Sequence, residues 1–185
     1  MNIVPASTKL VRLISARSDV SEAIDAWSML QAFSDNPSTR YFFAMMVVSY
    51  GRPFFENYRV GRIQCDYPNF PDFTDEEMNM RHRRMIDLRN KFMAHSSAEG
   101  TRIMVVPPGV INPITGTSID QYDLNIGKRT FHRPNYASWL IEVAYEFKGR
   151  LETDIRSLMG TELAGVSTNQ PFELKTGYED FSWTE

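Results

Sequence analysis

The sequence predicts a mainly α-helical bundle. Three observations carry that expectation: four long stretches with apolar residues at three- and four-residue spacing, helix-start signals ahead of them, and Gly or Pro punctuation between them. With 185 residues the chain is long enough for one domain with a sizeable core. Twenty Lys and Arg against 23 Asp and Glu give a net charge of −3. The pI of about 5.7 rules out a globally basic nucleic-acid coat but not a local basic site. An apolar share of 42% with 12% aromatics is that of a globular protein, not a disordered one. One cysteine, Cys65, excludes an intramolecular disulfide and a Cys-rich zinc site. The N-terminal stretch has no apolar run that suits a secretory signal, and the longest such run, Tyr41 to Val48, is far short of the roughly 20 residues that span a bilayer. These features place the expected protein in the cytoplasm, away from membranes.

The first helix carries Val20, Ala23, Ile24, Trp27, Leu30 and Phe33 on one stripe, with Ser18 or Asp19 as its N-cap. Upstream, Lys9 to Ser15 either extends it or forms a short strand; periodicity does not decide. The second begins after Asn36-Pro37-Ser38 and runs through Tyr41 to Val48, apolar nearly all round, which predicts burial between neighbours. Gly51 and Pro53 end it. In the third, Thr74 and Glu77 have capping-box spacing, and the helix should run to about His95 and close at Gly100. Arg102–Val106 and Tyr122–Ile126 read as a small β-hairpin insert, about 101–130, around a Pro/Gly-rich loop. The fourth helix opens near Pro134-Asn135, with Tyr136, Leu140, Val143, Phe147, Leu151, Ile155 and Leu158 on one stripe. The domain thus covers 1–160. Residues 161–185 form an acidic and aromatic C-terminal arm, expected to lie over the domain, the alternative being a partner-binding peptide.

The third helix contains an anomaly. Projected at about 100° per residue, Met78, Met85, Leu88, Phe92, Met93 and Ile86 share one face, while Asn79, Arg83, Arg84, Asp87 and Lys91 share the solvated one. Arg89 and His82 fall inside the apolar stripe. A desolvated arginine needs an anion or several carbonyls. It either forms a buried ion pair with Glu22, Asp25 or Glu146, or it is a phosphate-binding group. His95, in the last turn, is either a dipole-stabilising cap or a base titrating near neutral pH. Together, Arg89 and His95 suit phosphoryl transfer on RNA: a base for the ribose 2′-OH and a fork-shaped cation for the phosphate. No carboxylate cluster or His/Cys constellation calls for a metal, and no cofactor motif is present.

The segment Leu88-Arg89-Asn90-Lys91-Phe92-Met93-Ala94-His95-Ser96 resembles the HEPN superfamily signature: Arg, four to six residues, then His, at the end of an amphipathic helix. The upstream stretch from Ser49 to Tyr58 is similar to segments preceding that motif in some bacterial HEPN-like proteins. The resemblance implies an up-and-down bundle of four or five helices, and many such proteins are metal-independent endoribonucleases in toxin or defence systems. It implies that Arg89, His95 and Asn90 form the catalytic set and that two motif helices meet in a homodimer. An antitoxin, if one exists, would be a separate protein. Arg52, Lys91, Arg84 and His82 are candidate RNA-binding residues, His82 being more readily a core histidine and Arg84, clustered with Arg81 and Arg83, more readily part of a solvated face. The alternative is a non-catalytic HEPN-like dimer that binds RNA, a nucleotide or a protein.

Overall fold

The computed structural model describes residues 3–34, 39–56, 61–94, 101–111, 116–118, 120, 123–128, 134–166 and 173–175, and gives the backbone alone at 3–5, 91–94, 101–106, 123–128, 134, 173 and 175. The chain is mainly helical, and four helices dominate it: α1 Thr8–Ala32, α2 Thr39–Gly51, α3 Glu76–Ala94 and α4 Pro134–Glu162. α1 packs against α2 and α4, and α3 closes the ring against the same two. Polar and aromatic contacts fix the direction of each pairing. Ser7 with Glu162 and Arg17 with Glu152 set α1 antiparallel to α4. Arg84 with Tyr136 and Asp72 with Arg150 do the same for α3 and α4. Phe33 against Phe42, and Arg52 beside Asp19, orient α2 along α1.

α1 begins about three turns earlier than its strongest stripe suggests. Ser7 is the N-cap, its hydroxyl accepting from the Leu10 N–H at 3.0 Å, so neither Ser18 nor Asp19 caps the helix. Leu10, Leu13 and Ala16 are buried in phase with Val20, Ala23 and Leu30, which is why Lys9 to Ser15 is helix and not strand. α2 buries Phe43, Met46, Val47 and Tyr50, but Tyr41 is 61% exposed and Met45 41%. The expectation of burial all round is therefore corrected: α2 has only two helical neighbours and leaves its other side to solvent. A 3-10 turn, Arg52–Phe54, follows directly, with Pro53 in its first turn.

Asp75 starts α3, its carboxylate accepting from the Glu77 N–H at 2.8 Å. The cap thus falls one residue after Thr74. Asn79 departs from the projection, and Arg81 departs from the reading of its cluster as solvated. Asn79 is buried, bonding both the N–H and the C=O of Phe73 and so tying the preceding loop to the helix. Arg81, part of an arginine cluster read as solvated, is 7% exposed and sits between Glu77 and Glu142, beside the Trp139 ring.

Two short strand pairs complete the description. β2 Thr101–Val106 and β3 Asp123–Lys128 run antiparallel, with Ile103 opposite Ile126. β1 Ile3–Pro5 and β4 Glu173–Lys175 run parallel, Val4 opposite Leu174, so the chain returns after α4 to the start of α1. Gly100 and Tyr122 lie outside the described residues, as does most of the arm.

His82 has a defined place in this core. It is enclosed by Phe54 at 4.6 Å and Phe70 at 4.9 Å between ring centroids, and its Nδ1 shares a 2.9 Å hydrogen bond with the buried Tyr50 hydroxyl. Burial, with a smaller push from Arg83, lowers its pKa to about 4. Between pH 4 and 6.5 the unfolded chain therefore binds a proton that the folded chain refuses. Stability should fall as pH drops through that window, by about 3 kcal/mol in total. Urea unfolding at pH 7 and pH 4.5 measures the loss, and His82→Phe should flatten the dependence.

Candidate functional site

Arg89 lies in the fourth turn of α3, where the end of α2 comes closest. The approach is tight because the α2 residue there is Gly51: a Cβ on it would sit 2.8 Å from Arg89 Cγ and 3.3 Å from its Cβ. Without a side chain at 51, the Arg89 stem lies against the α2 backbone. The guanidinium carbon is 3.6 Å from the centroid of the Phe55 ring, the residue just past the 3-10 turn. Stacking of this kind fixes the guanidinium plane while leaving its edge open to hydrogen bonding.

The electrostatic setting is unusual for a half-buried arginine. Among the described residues no carboxylate pairs with Arg89, and its Nε is buried without a hydrogen-bond partner. Its one polar contact is Nη1 donating to the Asn90 side-chain oxygen at 3.3 Å. The buried ion pair considered for Arg89 is not found. Glu22 is bound to Arg52, and Asp25 and Glu146 are exposed on α1 and α4. Desolvating a donor without a partner costs on the order of 1–3 kcal/mol, a cost that an incoming anion would offset.

The other nominated residues are distributed unequally. Asn90 is exposed beside Arg89. Arg52 follows Gly51 directly, but Asp19 and Glu22 of α1 hold its guanidinium. Burial pushes Asp19 above the usual carboxylate range, against the opposing pull of Arg52. Arg84 faces α4, between Tyr136 and Asp87. His82 points into the aromatic core, where it is sealed from any ligand. The Lys91 side chain lies outside the described residues, as does His95, which follows the last helical residue, Ala94. Among the described residues no group of three or more His, Cys, Asp or Glu converges in a way that could hold a metal ion, and no helix is long and apolar enough to cross a membrane.

Phe55 and Gly51 are the site residues that sequence reasoning missed. Gly51 was legible only as a helix terminator, and nothing local marks Phe55 as the partner of a residue 34 positions later. No family model, curated protein or solved structure matches the chain.

The close packing leads to a paired expectation. Gly51→Ala should gain up to about 1 kcal/mol from helix propensity but lose about 1–3 kcal/mol from overpacking against Arg89, a net destabilisation. Arg89→Ala should cost less than about 1 kcal/mol, since no buried carboxylate is left unpaired. In the Arg89→Ala background, Gly51→Ala should lose most of its penalty. Thermal or urea melts of the four proteins close this cycle.

Proposed function

We propose that the protein is a metal-independent endoribonuclease of HEPN type, a helical bundle of that superfamily elaborated by a β-insert, working as a homodimer in a toxin or defence role. The observation that carries this reading is Arg89: a planar cation, held by Phe55 and Gly51, with no anion to neutralise it among the described residues. A structural arginine on the same helix looks different. Arg81 is paired through both Nη atoms with Glu77 and Glu142, although its Nε, like that of Arg89, is buried without a partner.

In the proposed reaction His95 removes the proton from a ribose 2′-OH. The 2′-oxygen forms a bond to the adjacent phosphorus while the bond from phosphorus to the 5′-oxygen breaks. The products are a 2′,3′-cyclic phosphate and a 5′-hydroxyl, whose proton comes from solvent or from a protonated His95. Arg89 holds the non-bridging oxygens as charge develops on them, and Asn90 keeps its guanidinium oriented. DNA lacks the nucleophile and is not cut.

The dimer proposal rests on the rim around Arg89 and not on the whole α3 stripe. The described part of that stripe is used within one chain, since His82, Met85 and Leu88 are all buried there.

Purified protein should cleave single-stranded RNA in the presence of EDTA and leave cyclic-phosphate ends. His95→Ala should reduce the rate by roughly 10²–10⁴ with binding retained, and Arg89→Ala should weaken both. Sedimentation of the same samples should give a dimer. Equal cleavage by wild type and His95→Ala would falsify the enzymatic reading. RNA binding without cleavage would favour the non-catalytic module.

A further inference from the structure

On the opposite edge of the helix ring from Arg89, α1 and α4 enclose an open groove of about 510 Å³. Its walls are Ile14 and Arg17 of α1 and Glu152, Ile155, Arg156 and Met159 of α4. The groove is half apolar and carries a positive excess. Glu152 lies 3.4 Å from Arg17, whereas Arg156 has no carboxylate partner among the described residues.

The path of the chain brings a matching segment to its mouth. β4 runs parallel to β1, with Lys175 beside Pro5. β1 leads straight into α1, and Ser7 at its N-cap is bound to Glu162 at the end of α4. Lys175 therefore lies near the shared end of α1 and α4. From Ser7 to Arg17 is about 15 Å of helix, and ten extended residues reach about 33 Å. Residues 176–185 are Thr-Gly-Tyr-Glu-Asp-Phe-Ser-Trp-Thr-Glu: three carboxylates interleaved with three aromatic rings. Glu179 and Asp180 complement Arg17 and Arg156, and the rings of Tyr178, Phe181 and Trp183 suit a floor of Ile14, Ile155 and Met159.

We propose that the α1–α4 groove is the docking site for this chain's own segment 176–185. The docked segment staples α1 to α4 and leaves the α2–α3 edge, with Arg89, open. The proposal is independent of any ribonuclease activity.

The test uses the full chain with p-benzoylphenylalanine in place of Phe181. Illumination should give cross-links within one chain, mapping to Ile14, Ile155 or Met159. The double reversal Arg17→Glu with Arg156→Glu should lower their yield roughly tenfold, since each exposed ion pair contributes modestly. Adding Glu179→Arg and Asp180→Arg to that variant should restore it. Cross-links elsewhere in the chain, cross-links between chains, no cross-link, or a yield indifferent to charge reversal would each overturn the proposal.

Discussion

The aromatic enclosure of His82 is the constraint from which the rest of the molecule takes its geometry. Tyr50 comes from the end of α2, Phe54 from the 3-10 turn, Phe70 from the loop before α3, and Phe147 from α4. The first three rings meet around one imidazole and Phe147 packs against Phe54 and Phe70, while the Tyr50–His82 hydrogen bond satisfies polar atoms that would otherwise oppose burial. Because that cluster pins the end of α2 to α3, Gly51 meets the Arg89 stem and Phe55 lands over its guanidinium. The candidate site is thus a by-product of core packing two turns away on α3. Loop residues are held to the same frame by Arg12 with Asp66, Arg150 with Asp72, and the hydrogen bond of Tyr67 to Asp154, where burial raises the phenol's pKa.

The arginines divide into two kinds. Arg12, Arg52, Arg81, Arg84 and Arg150 each meet at least one carboxylate, and Arg81 shows what a buried structural arginine of this protein requires: two acids and an aromatic face. Arg89 has the aromatic face without the acids. An arginine kept dry on one side and unpaired on the other is preorganised for an anion, since the ordering of its plane is complete before any ligand arrives. That contrast, within one helix, separates the arginine proposed to bind from one that packs more sharply than position in the stripe does.

The sequence made much of this legible, in proportion to how local each signal is. The stripes of α1 and α4 and the stop at Gly51-Pro53 depend on near neighbours, and they could be read directly. Arg89 stood out because its angle conflicts with its chemistry. Arg81 projects near the edge of the same apolar face, so the same argument would have found it had the arginine cluster not been read as one solvated patch. Asn79 escaped because its burial depends on a loop folding back, not on helix phase. The β1–β4 pairing joins two three-residue segments from opposite ends of the chain, and neither carries an alternating pattern long enough to signal a strand. Phe55 depends on the same kind of long-range contact.

The central claim is that Arg89 is held ready, unpaired, for a phosphate. The most direct measurement is the Nε–Hε resonance of each arginine in 15N-labelled His95→Ala protein, titrated with a short single-stranded RNA in EDTA. The account predicts a saturable shift at Arg89, with the resonances of Arg81 and Arg84 unmoved. Saturable RNA binding that leaves Arg89 unshifted, or no binding at all, would contradict it.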